Sequence, residues 1–210
     1  IRLADFDDIE LSNLNRINAP LAEMGKNKSV SAAQEIAEID PYIKVECYVE
    51  GYTEDNSDDF FCKDGKIDLL VEECDDIKVK IEARLKARKK RVPVIMETND
   101  NCIIDIERYD LEPEREIFHG KLSSDKIKAF MLDLSEINRV SIVSEIFDMS
   151  VVSERMAGSM LDLNTKLRSW PQLSSEVNYG AGIVSEIARR VLLNEIIYSK
   201  QIRDIVNYGE

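Results

Sequence analysis

The sequence predicts an α/β fold: a mostly parallel sheet with flanking helices, followed by a mainly helical C-terminal region. Three observations carry that reading. From Ile1 to about Tyr109, short apolar or alternating stretches recur between helix-like ones, and strand–helix alternation of this kind builds parallel sheets with helices on both faces. From about Ser123 onward the periodicity is helical. Finally, 210 residues with 44% hydrophobic side chains supply core for one good-sized domain or two small ones. The division is expected at 1–122 for the α/β domain and 123–210 for the helical region, its last helices packing back on the sheet.

The elements follow in order. Ile1 to Ala4 is a short strand, and Lys28 to Glu38 carries apolar residues at helical spacing. Ile43 to Val49 alternates as a strand does, and Ser57 to Cys62 suggests a short helical turn. Ile67 to Val71 is a short apolar strand, Asp76 to Lys90 a long basic helix, and Pro93 to Glu97 another strand. Asn99-Asp100-Asn101 is a turn sequence leading into a strand over Cys102 to Arg108. Helices are then predicted over Ser124–Leu134, Glu136–Phe147, Val151–Leu167 and Val177–Leu193. The acidic stretch Glu54 to Asp59 and the basic run Lys86 to Arg91 read as solvated surface.

Composition narrows the function. A net charge of −13 and a pI of about 4.7 argue against broad binding to nucleic acid or anionic membrane. No apolar run approaches the roughly 20 residues of a membrane span. Cys47, Cys62, Cys74 and Cys102 form no C-x-x-C pair, so neither zinc nor a disulfide framework is expected. They read as reduced thiols of a cytoplasmic protein, most of them buried. His119, the single histidine, reads as a surface or structural residue rather than a catalytic one.

Ligands of open α/β sheets sit beyond the carboxyl ends of the strands. The segment "DFDDIELSNLNR" after the first strand and "EECDD" after Val71 both fall there. A strand-end carboxylate accepts hydrogen bonds from ribose hydroxyls, and Asp5 or Asp7 can do so, although strand-end aspartates are also common turn residues. Asn13 and Arg16 lie three residues apart, and Arg16 has the donor fork for a phosphate. Lys28 opens the next helix after Gly25-Lys26-Asn27, where backbone N–H groups and a lysine suit phosphate again. Asp75 stands where a magnesium ion bridging phosphates is held. Singly, each also reads as a surface ion-pair or capping residue. In order, they describe an ATP site.

"DFDDIELSNLNR", "GKNK", "LLVEECDDIKVK" and "VPVI" resemble, in order and spacing, the ThiF/MoeB-like family, whose Rossmann-like fold is shared with ubiquitin-activating enzymes. The resemblance covers about Ile1 to Val94 and points to a divergent bacterial member. It implies that Asp5 binds the ATP ribose, that Asn13, Arg16 and Lys28 bind phosphates, and that Asp75 is the magnesium-linked aspartate. It further implies ATP-dependent adenylation of a carboxylate, often the C-terminus of a ubiquitin-like or sulfur-carrier protein, by a homodimer.

The chain departs from the family pattern in several places. The glycine-rich loop, G-x-G-G-x-G, belongs before Ile1, so the chain is expected to be part of a longer one and residues 1–210 alone to be inactive. Asp76 replaces the asparagine after the magnesium aspartate. No cysteine follows Cys102 to carry a thioester, and paired zinc ligands are missing. These departures leave open a non-catalytic nucleotide-binding domain that partners another enzyme. An NAD-dependent oxidoreductase fits Asp5 and the alternation, but gives Arg16 and Lys28 no triphosphate to hold.

Overall fold

The computed structural model describes residues 1–98, 100, 103–134, 136–146, 152–162, 165–167 and 171–203. The chain forms two compact units, Ile1–Lys66 and Ile67–Glu210. The division expected after residue 122 falls inside the second unit.

In the first unit, β1 (Arg2–Ala4) leads through 3₁₀ turns at Leu11–Asn13 and Leu21–Glu23 into α1 (Lys28–Ile39), then β2 (Glu46–Tyr48) and α2 (Ser57–Cys62). β1 and β2 pair in parallel, Arg2 opposite Glu46 and Ala4 opposite Tyr48. A parallel pair needs a crossover, and α1 supplies it. Asn27 caps the first turn of α1 with its side-chain oxygen. Phe60 and Phe61 of α2 are buried and meet Tyr48 and Tyr52 edge-on, a favoured geometry for aromatic pairs.

The second unit repeats the strand–helix–strand plan. β3 (Leu70–Val71), α3 (Ile77–Lys90) and β4 (Val94–Glu97) form a parallel pair with its crossover helix. β5 (Ile103–Glu107) then returns antiparallel to β4, because the few residues between them allow only a hairpin. Asn99 and Asn101, expected in that turn, and Cys102, expected to open the strand after it, lie outside the described residues. β6 (Lys200–Arg203) adds antiparallel to β5, giving the order β3-β4-β5-β6. The sheet is parallel at β3–β4, where α3 makes the crossover, and antiparallel at β4–β5 and β5–β6.

A 3₁₀ turn at Ile117–Gly120, then α4 (Ser124–Leu132), α5 (Glu136–Ile146), α6 (Glu154–Asp162) and α7 (Ser174–Leu192) lie between β5 and β6. Ile187 and Val191 of α7 pack with Ile95, Ile104, Ile106 and Ile196. Each such residue contributes about 1.5–3 kcal/mol on burial. Gly180 allows α7 to approach β4: a Cβ there would stand 2.6 Å from the Glu97 carboxyl carbon.

Several sequence expectations shift at the ends. The strands expected over 43–49 and 67–71 shorten to Glu46–Tyr48 and Leu70–Val71, because only those residues find a partner strand. The helix expected over 151–167 is described over Glu154–Asp162. Cys47, Cys62 and Cys74 are partly exposed rather than buried. No helix among the described residues is long and apolar enough to cross a membrane.

Candidate functional site

The strand end at Asp5 is held by several short-range bonds. Asp5 N–H donates to the Tyr48 carbonyl at 3.3 Å, extending the β1–β2 ladder one residue. One Asp5 carboxylate oxygen accepts the Asp7 N–H at 2.9 Å, which folds residues 5–7 into a tight turn. The chain then runs beside the start of α1. Lys28 N–H donates to the Asp7 carbonyl at 2.9 Å, and Lys28 Nζ lies 2.6 Å from Asp7 Oδ2. Asp7, weighed with Asp5 as a ribose ligand, is thus the partner of Lys28.

A cavity of about 320 Å³ opens beside this turn, lined by Asp5 and Lys28 and walled by apolar residues that include Leu3, Ile9, Ile17 and Ala32. Two carboxylates, Asp5 and Glu35, and the Lys28 ammonium therefore line a largely apolar hollow at the carboxyl end of β1, the form small-molecule sites take. A second cavity of about 570 Å³ shares Asn18 and Glu35 with it and adds Glu23 and Glu38. Its acidic lining does not suit a phosphate.

Asn13 ends the 3₁₀ turn at Leu11–Asn13, Arg16 lies in the turn that follows it, and neither is among the residues lining either cavity. Asn13 is buried, and its side-chain oxygen accepts the Glu10 N–H at 3.0 Å. Arg16 is half-buried and donates through Nη1 to the Ser12 carbonyl at 2.8 Å and to Asn15 Oδ1 at 3.0 Å. The helix start expected to offer backbone donors to phosphate has already used them. The Ser29 and Val30 N–H groups both donate to Asn27 Oδ1. The ammonium of Lys28 is what that helix start can present.

In the second unit, Asp75 is exposed on the turn between β3 and α3. Its neighbours have structural work. Asp76 caps α3 by accepting the Val79 N–H at 3.1 Å, and Glu72 accepts the Cys74 N–H at 2.9 Å. No group of three or more His, Cys, Asp or Glu side chains able to hold a metal occurs among the described residues. Magnesium does not require one, because it is commonly held by one or two carboxylates together with phosphates and water. Asp75 fits that donor chemistry.

The sequence reading missed a buried ionic network in this unit. Glu72 receives Lys80 at 3.0 Å and Arg84 at 2.5 Å. The other side of the Arg84 guanidinium donates to Glu107 at 2.8 Å, and Tyr109 donates to the same carboxylate at 2.6 Å. Arg84 also lies over the Phe118 ring, 4.3 Å from its centroid. Burial alone would raise the Glu72 carboxyl, yet Lys80 and Arg84 outweigh it and hold it down at about 2. Burial pushes the Glu107 carboxyl up, against the pull of Arg84. Burial and the adjacent Glu72 likewise push the Cys74 thiol up, away from the reactive thiolate.

His119 belongs to this buried layer rather than the surface. Its Nε2 lies 2.8 Å from Asp105, and Arg115 donates to its Nδ1 at 3.1 Å. Phe118 and His119 both take left-handed backbone angles, φ 50° and 56°, which cost about 1–2 kcal/mol each. The Arg84 and Asp105 contacts hold that turn in place.

A parallel strand–helix–strand unit with an acidic turn past its first strand is an α/β domain of the kind that takes ligands at the strand ends. Residues 1–99 match the ThiF family model, the same stretch in which the motifs resemble that family. It is 41% identical over 206 residues to the uncharacterized protein MT1398 of Mycobacterium tuberculosis (strain CDC 1551 / Oshkosh), covering 97% of this chain and 28% of that protein. It is 28% identical over 137 residues to the tRNA threonylcarbamoyladenosine dehydratase of Bacillus subtilis (strain 168), covering 61% of this chain and 53% of the relative. The chain thus spans about a quarter and about half of the two curated relatives.

Solved structures share the fold. E. coli MccB, crystallised with ATP, superposes with a TM-score of 0.59 at 17% identity, over 96% of this chain and 52% of that one. E. coli tRNA N6-threonylcarbamoyladenosine dehydratase, TcdA, gives 0.57 at 17% identity, over 92% and 75%. PaaA gives 0.59 at 19% identity, over 100% and 61%.

Proposed function

We propose that this chain carries the nucleotide-binding part of an ATP-dependent enzyme that adenylates a carboxylate. What supports the reading most directly is that Asp5 and Lys28, two positions of the family motif on separate elements, line one cavity at the end of β1. Asp5 accepts hydrogen bonds from the ribose hydroxyls. Lys28 exchanges Asp7 for a phosphate, at little cost because its pair with Asp7 is solvent-exposed and such pairs are worth about 0–1 kcal/mol. Arg16 likewise leaves a carbonyl and an amide oxygen for a doubly hydrogen-bonded phosphate, a stronger partner for its fork. Asn13 offers its amide N–H.

In the reaction, a carboxylate oxygen attacks the α-phosphorus, and the bond from that phosphorus to the bridging oxygen breaks. Pyrophosphate leaves with the electron pair, and an acyl-adenylate remains for a later nucleophile. Negative charge grows on the phosphate oxygens, so Lys28 and Arg16 act where such catalysis gains most. Magnesium, assigned to Asp75 on the motif, would supply further charge neutralisation. The reading extends to a cytoplasmic homodimer whose substrate is the C-terminus of a ubiquitin-like or sulfur-carrier protein.

The alternative of a non-catalytic nucleotide-binding domain loses one of its supports. Asp76, which replaces the family asparagine, caps α3, a task aspartate and asparagine do equally well. Exchange of labelled pyrophosphate into ATP by the full-length protein, with magnesium and carrier peptides ending in a free carboxylate, tests the proposal. Exchange is expected, with Arg16→Ala and Asp75→Ala each lowering it about a hundredfold. Binding of ATP without exchange would leave the non-catalytic reading, and preference for NAD in a thermal-shift comparison would leave the oxidoreductase.

A further inference from the structure

One side chain links the two cavity-lining residues. Asn27 Oδ1 accepts from the N–H groups of Ser29 at 3.0 Å and Val30 at 3.3 Å and from Ser29 Oγ at 2.5 Å. Its Nδ2 donates to the carbonyls of Asp5 at 2.9 Å, Asp7 at 3.3 Å and Val49 at 3.4 Å. The amide therefore ties the ends of β1 and β2 to the first turn of α1.

We propose that Asn27 is the positioning residue of the nucleotide site, fixing the Asp5 carboxylate for the ribose relative to the Lys28 ammonium. The assignment rests on the nucleotide reading above. Capping alone does not require an amide, since serine or aspartate caps a helix about as well. An amide is distinctive in also donating to carbonyls on its other side. The 5–7 turn is closed by Asp5's own carboxylate on the Asp7 N–H. Holding the Asp5 and Asp7 carbonyls therefore holds that carboxylate. Lys28 follows Asn27 directly, so the same side chain sets both charges beside the cavity.

Asn27→Ser retains a cap acceptor and loses the donors; Asn27→Ala loses both. Calorimetric titration of the protein with magnesium ATP and with magnesium 2′,3′-dideoxy-ATP reads the ribose contact. A loss of folded protein weakens both ligands equally, so the ratio of the two dissociation constants isolates positioning from stability. The wild type is expected to prefer ATP by about tenfold, one charge-assisted ribose contact. Asn27→Ser should reduce that preference to about threefold or less, and Asp5→Ala should abolish it. If Asn27→Ser does not fold, Asn27→Asp takes its place as an equally good cap that turns repulsive charge on the three carbonyls. A full preference in either folded variant overturns the assignment to Asn27. A wild type that does not bind, or an Asp5→Ala protein that keeps the preference, overturns the nucleotide reading and the assignment with it.

Discussion

Lys28 and Lys80 each face a carboxylate, and their surroundings give them different uses. Lys28, at the start of α1, holds Asp7 where both side chains meet solvent. Lys80, inside α3, holds Glu72 with both nearly sealed from it. The exposed pair is weak and interchangeable, so a ligand can take one member. The buried pair has no competing water, and removing either member strands the other in a medium that penalises bare charge. Charge at the surface of the first unit is available for binding, and charge within the second unit holds the fold.

The sharpest way to break this contrast is Arg84→Ala, which leaves Glu72 and Glu107 without their shared guanidinium. A loss of about 3–5 kcal/mol is expected in urea unfolding; a loss below 1 kcal/mol would mean that the network is not structural. Acid probes the same network with a defined sign. Glu72 has its carboxyl held down at about 2 from an ordinary 4.5, so its contribution is complete above its unfolded value and lost as the pH falls through about 2. The stability difference between wild type and Glu72→Gln should therefore shrink by roughly 3 kcal/mol between pH 5 and pH 2.

Gly180→Ala drives a methyl into the Glu97 carboxylate and should cost about 1–3 kcal/mol as overpacking, seen as a lower unfolding midpoint. Lys28→Ala is the smallest perturbation to the fold and the test of the exposed side of the comparison. Its stability should change by less than about 0.5 kcal/mol, while calorimetry should show ATP affinity falling about tenfold. A stability loss as large as that of Arg84→Ala would erase the distinction between the two lysines.

Much of this architecture was legible because it is written locally. The apolar spacing of 28–38 gives α1, Ser57 to Cys62 gives α2, and the turn-rich 99–101 stretch before an apolar run gives a β4–β5 hairpin. The ordered motif from Asp5 to Asp75 located the candidate residues for the same reason: each piece is a short run of the chain. Arg84 shows where such reading stops. Within α3 it belongs to a helix rich in lysine and arginine, the pattern of a solvated face, yet it is fully buried. Its carboxylate partners come from the residue after β3 and from β5, so no window along α3 contains the reason for its burial.

By itself, the sequence determined most of the elements, a family resemblance and the candidate residues, because periodicity, capping and motif order are properties of neighbours along the chain. Only the tertiary structure decided which charges are free to meet a ligand and which are committed. It placed Asp5 and Lys28 on one cavity, turned Asn13 back onto its own 3₁₀ turn, and made Asn27 the link between two strand ends and a helix. A charged side chain's role depends on the dielectric around it and the partner within 3 Å of it, and distant segments of the chain supply both.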